Sequence, residues 1–154
     1  MLIDRILADE VGSRSDFRRF MKAELLDKIG MTPLHVQLDA AGTWLGGGSA
    51  ETTAQDFARF GLLYLRDGVW DGERILPEGW VQYSRTPSAT NPEYGAGWWV
   101  DRERPGVFYA QGVGGQVIAV APEHDLTFVL LSTDSQASLT LTEAILDAFA
   151  ARNK

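Results

Sequence analysis

Between Gly97 and Ser132 the chain alternates short β-branched or aromatic segments with tight turns, and this narrows the possible folds more than anything else in the sequence. Segments 97–101, 107–111, 116–121 and 126–132 are separated by Pro105-Gly106, by Gly112 to Gly115 and by Pro122 to Asp125. The spacing predicts an antiparallel meander of three or four strands. Val117, Ile118, Val120, Phe128, Val129, Leu130 and Leu131 place apolar side chains at successive positions, so the last two strands expect neighbours on both faces. A closing helix with Leu141, Ala144, Ile145, Ala148 and Phe149 in one stripe would cover a single face. The second face and both sheet edges then need cover from elsewhere.

Upstream of Tyr94 the periodicity is helical. Leu2, Ile3, Ile6, Leu7 and Val11 predict a helix that stops at Gly12. Ser15 is positioned to cap a second helix, with Phe17, Phe20, Met21 and Leu25 on one face, Lys28 in the last turn and Gly30 at the stop. Residues Thr32 to Ala50 show no sustained period and read as a long loop. Thr52 and Gln55 form a capping-box pattern before Phe57, Phe60, Gly61, Tyr64 and Leu65. The turns Asp67-Gly68 and Asp71-Gly72 bracket Val69 and Trp70, and Leu76-Pro77 introduces a short helix through Trp80, Val81 and Tyr83. Helices and loop over 1–93, then sheet and helix over 94–154, describe an α+β chain with no linker or internal repeat.

Charge and composition exclude several functions. With 14 basic against 21 acidic residues the formal charge is −7, the wrong sign for a nucleic-acid partner. No apolar run reaches the length needed to span a bilayer. The absence of cysteine removes disulfides, thiolate metal sites and a cysteine nucleophile, and is compatible with either a periplasmic or a cytoplasmic location. Met1 to Glu10 mixes Asp4, Arg5, Asp9 and Glu10 into its apolar residues, which is not a signal-peptide pattern. His35 and His124 have no second ligand at metal-binding spacing, and no G-x-S-x-G elbow occurs. Neither Gly46-Gly47-Gly48 nor Gly112 to Gly115 is accompanied by the lysine of a phosphate loop. No metal or cofactor is expected.

The run of words Leu45-Gly46-Gly47-Gly48-Ser49, Thr53 to Gly61, Asp67-Gly68-Val69-Trp70-Asp71-Gly72 and Ile75-Leu76-Pro77 resembles the β-lactamase-related serine hydrolases. That superfamily holds class C β-lactamases, D-aminopeptidases, family VIII esterases and 6-aminohexanoate-dimer hydrolases. The resemblance continues through Tyr94-Gly95-Ala96-Gly97-Trp98-Trp99 and from Gly114-Gly115-Gln116 to Pro122-Glu123 and Asp125-Leu126. It implies the C-terminal portion of the β-lactamase/transpeptidase-like fold, a small-molecule amide or ester substrate, and an acyl-enzyme formed on a serine of an S-x-x-K motif. It also implies a tyrosine from Y-x-N that helps move the proton, and a K-T-G or histidine-glycine motif on a strand beside the site.

Each part has a sequence test. Lys22, Lys28 and Lys154 are preceded three places earlier by Arg19, Leu25 and Ala151, so S-x-x-K is absent. Tyr64, Tyr83, Tyr94 and Tyr109 are followed two places later by Arg66, Arg85, Ala96 and Gln111, so Y-x-N is absent. No catalytic residue is therefore assigned. The third motif maps to Gln111, Gly112, Val113 and Gly114, with valine where many relatives carry histidine. Valine carries no proton, but the backbone N–H of Gln111 or Val113 can still face an oxyanion. Trp44, Trp98 and Trp99 are candidates to line an acyl pocket. In the family the missing motifs precede the matching region, and Met1 to Gly12 resembles the helix that follows the tyrosine motif. The resemblance thus implies a single incomplete domain over 1–154, inactive by itself, whose apolar strands lack the N-terminal part. A homo-oligomer or a partner at the exposed sheet edge is the alternative way to cover them.

Overall fold

A computed structural model describes residues 2–12, 14–32, 34–40, 43–46, 48 and 50–152. Helix α1 (Leu2–Val11) ends at Gly12, whose φ of +100° is open to glycine. Helix α2 (Arg14–Met21) starts one residue before Ser15, which therefore lies inside it and not at the cap. It continues through a π-helical turn (Lys22–Leu26) into α3 (Asp27–Ile29), and Gly30 closes the run in the left-handed conformation at φ 68°. The segment read as a structureless loop contains a small hairpin, β1 (His35–Val36) against β2 (Ala50–Glu51), with an inner bridge from Leu38 to Trp44. Strands of two residues are too short to show alternation in sequence.

Helix α4 (Ala54–Leu65) is capped by Thr53, one residue later than Thr52, and its Oγ1 accepts from the Asp56 N–H at 3.1 Å. Both threonines can cap. The structure uses the one that lies three residues before Asp56, because that carboxylate is buried and takes a second bond from the Thr52 hydroxyl at 3.0 Å. Beyond α4 come the hairpin β3 (Val69–Trp70) and β4 (Glu73–Arg74), then the short α5 (Trp80–Ser84).

The sheet is the four-stranded antiparallel meander β5 (Trp99–Val100), β6 (Phe108–Gln111), β7 (Val117–Ala121) and β8 (Leu126–Leu130), in that spatial order. Every residue of β7 is buried. Its two faces are covered by different helices, which corrects the picture of a sheet with one bare face. Ile118 and Val120 join Phe108, Trp98, Tyr64 and Val81 in a core beneath α4. Ala121 turns the other way and packs with Val107, Leu126 and Phe128 against Leu146 of helix α6 (Ser135–Arg152). A third cluster, Ile29, Met31 and Leu63, ties the N-terminal helices to α4 and the β3–β4 hairpin.

The buried face of α6 also differs from the predicted stripe. Ser138, Thr142 and Leu146 are buried, whereas Leu141 is 49% exposed and Ala144 and Ala148 face solvent. Ser138 and Thr142 lie two turns and one turn before Leu146 on the same face, which packs against Ala121 of β7 through Leu146. Arg104 fixes α6 from the β5–β6 loop, donating to Asp147 at 2.8 Å and to Asp101 at 3.1 Å.

Candidate active-site wall

The turn joining β6 to β7 carries the candidates Gln111, Gly112, Val113 and Gly114. Gln111 is the last residue of β6, half-buried opposite Val117. The Gly112 N–H donates to the Gln116 carbonyl at 2.8 Å, and the Gly115 N–H donates back to the Gly112 carbonyl at 3.0 Å. Val113 and Gly114 are thus the two central residues of a tight turn. Gly115 has φ +93°, and a Cβ there would sit 2.7 Å from the Asp134 carbonyl oxygen, so only glycine fits.

Val113 stands at the tip with 99% of its surface exposed. Its carbonyl accepts from the Ser135 hydroxyl at 3.1 Å, while its N–H has no hydrogen-bond partner among the described residues. The Gly112 N–H is already engaged. An unpaired N–H on a fixed peptide is what an oxyanion needs, and it does not depend on the side chain.

Sequence reasoning missed the residues that hold this turn. Gln116 extends beneath it and donates from Nε2 to the Ser132 carbonyl at 3.0 Å. Asp134 caps α6 by accepting from the Ala137 N–H at 3.0 Å, and the Ser132 hydroxyl accepts from the Asp134 N–H at 2.9 Å. The signal was present in Ser132-Thr133-Asp134-Ser135, a helix-start pattern directly after a strand.

The three tryptophans contact different surroundings and do not converge. Trp98 is 3% exposed in the core, stacked on Phe60 at 6.1 Å and edge-on to Phe108 at 5.0 Å. Trp99, the next residue and the first of β5, meets Tyr94 at 4.9 Å. Trp44 packs on Phe17 at 5.8 Å in the N-terminal part. A groove of about 450 Å³ lined by Phe17, Met21, Leu26, Met31 and Leu34 shares no residue with the turn.

Tyr109 lies on β6, but burial pushes its phenol above the usual value and the charges of Asp101, Glu93 and Glu143 push it further. Both effects oppose the phenolate that a base would require. Among the described residues no group of three or more histidine, aspartate or glutamate side chains is arranged to hold a metal ion. None of the described helices is long and apolar enough to cross a membrane.

The described fold is a helix-covered antiparallel meander with a glycine-rich strand-end turn, whose Val113 N–H has no partner among the described residues. The chain belongs to the β-lactamase family, whose model matches residues 3–152. It is 29% identical over 111 residues to the 6-aminohexanoate-dimer hydrolase of Paenarthrobacter ureafaciens, covering 64% of this chain and 28% of that protein. A Bacillus anthracis structure assigned as a 6-aminohexanoate-dimer hydrolase superimposes with a TM-score of 0.74 at 20% identity, over 86% of this chain and 38% of that one. A β-lactamase from Mycobacterium bovis gives a TM-score of 0.63 at 22% identity, over 88% of this chain and 56% of that one. The chain therefore spans between 28% and 56% of the length of these relatives.

Proposed function

We propose that this chain is the C-terminal segment of a serine hydrolase that cleaves a small-molecule amide or ester through an acyl-enzyme, and that the 154 residues alone do not turn over substrate. The observation that carries the reading is the free Val113 N–H on a braced turn, in a chain with neither S-x-x-K nor Y-x-N. In the complete site a serine hydroxyl from outside this segment attacks the carbonyl carbon and passes its proton to the adjacent base. The carbonyl oxygen becomes an oxyanion that accepts from the Val113 N–H. Collapse expels the amine or alcohol, which recovers the proton, and water then releases the acid from the acyl-enzyme. The chain is one incomplete domain on this reading.

The experiment is to read the DNA upstream of the Met1 codon. An in-frame S-x-x-K followed by Y-x-N is the expected result. An upstream region with neither motif in frame would overturn the reading.

A second reading has its own observation. Among the described residues strand β8 pairs with β7 alone, and its sequence Leu-Thr-Phe-Val-Leu carries no charge or proline to discourage pairing at the open edge. A non-catalytic module that self-associates or takes a partner strand would use this edge. Solution mass separates the two: a stable dimer or a bound partner favours the module, and a monomer that binds nothing counts against it.

A further inference from the structure

We propose that Gln116 is a positioning residue for the turn, fixing the direction of the Val113 N–H by filling the space beneath its backbone. The inference rests on the reading of that N–H as an oxyanion donor. Two glycines flank the Gln116 amide. A Cβ on Gly112 would lie 2.5 Å from its Oε1, and one on Gly114 would lie 2.8 Å from its Nε2. The amide thus occupies the volume that side chains at 112 and 114 would take, so the glycines are there to let it in.

Its far end is anchored. Nε2 donates to the Ser132 carbonyl at 3.0 Å, and Ser132 belongs to the segment that leads into the α6 cap. Ser135 holds the opposite side of the same turn through the Val113 carbonyl at 3.1 Å. The peptide that bears the Val113 carbonyl is therefore tied at one end, and the backbone before it is supported from below. Three glycines in five residues would otherwise leave the turn with many conformations of similar energy.

The chemistry at 116 is specific. Glutamate has the same shape but cannot donate when ionised, so it would set a carboxylate against the Ser132 carbonyl. Alanine would leave the space empty. A threefold-glycine turn with neither brace should move freely on the fast timescale.

The test is nitrogen-15 relaxation of the full 154-residue chain as wild type, Gln116→Glu, Gln116→Ala and Ser135→Ala. In the wild type the Val113 and Gly114 amides should show order parameters of about 0.85, typical of rigid backbone. In both Gln116 variants they should fall below about 0.6, while amides of α4 and β7 stay unchanged. Ser135→Ala should give a smaller fall confined to Val113 and Gly114. If the alanine variant does not fold, the glutamate and serine variants carry the same comparison. Unchanged order parameters at Val113 in the folded variants, or a turn already mobile in the wild type, would overturn the proposal. A braced turn in a protein whose upstream sequence lacks the nucleophile motif would leave the bracing by Gln116 standing and remove both the proposed function and the oxyanion role of the Val113 N–H.

Discussion

Asp56 shows how a single buried acid organises a helix start. It is 1% exposed, yet it accepts from the Thr52 hydroxyl and pairs with Arg59 while its own N–H is capped by Thr53. Burial alone would raise its carboxyl pKa, but the hydrogen bonds from Thr53, Thr52 and Arg59, with the charge of Arg59, outweigh that and hold it below the ordinary 3.8. A carboxyl depressed in the folded state contributes stability that is present above its unfolded value and lost as pH falls toward the folded one. Asp56→Asn should therefore lower stability by about 2 kcal/mol near neutral pH, with the gap to wild type closing as pH falls below the ordinary carboxyl value of 3.8. Urea midpoints across that range check it. A gap that does not change with pH would show that the carboxylate charge is not what matters.

Elements meet at contacts that set the sign of a substitution. Gly61 on α4 faces the sheet, where an added Cβ would collide with the Thr127 hydroxyl and reach the Ile118 Cγ2 at 3.0 Å. Gly61→Ala gains about 1 kcal/mol of helix propensity but overpacks the α4–sheet interface by about 1–3 kcal/mol. The expected outcome is net destabilisation in denaturant unfolding, and a stabilised variant would show that the interface is looser than the structure has it. On the opposite face, Leu146→Ala should lose about 2–5 kcal/mol because Leu146 is 2% exposed. Leu141→Ala should stay within about 0.5 kcal/mol, since Leu141 lies half in solvent. Equal losses at the two positions would restore the stripe expected from sequence. That stripe was misread for a physical reason: the face that packs on β7 carries Ser138 and Thr142, so apolarity does not mark it. The meander itself was legible, because short β-branched or aromatic runs punctuated by glycine turns are local signals. That α4 fills the second face of β7 was not, because amphipathicity says that a helix packs and not where.

At the scale of the whole molecule, β7 is buried on both faces by the chain's own helices, while every residue of the edge strand β8 is only half-buried and the strand-end turn is open. The turn was legible as glycine-rich from Gly112, Gly114 and Gly115, but its anchors Ser132, Asp134 and Ser135 lie across a strand and came together only on folding. The absent S-x-x-K and Y-x-N were legible outright, because short local motifs need no tertiary structure to be checked. The measurement that bears most directly on the central claim is hydrolysis of nitrocefin and p-nitrophenyl esters by the 154-residue chain, alone and together with the upstream polypeptide that the proposed function requires. The account predicts no turnover above a heat-killed control for the chain alone and turnover for the pair. Turnover by the chain alone, or none by the pair, would contradict it.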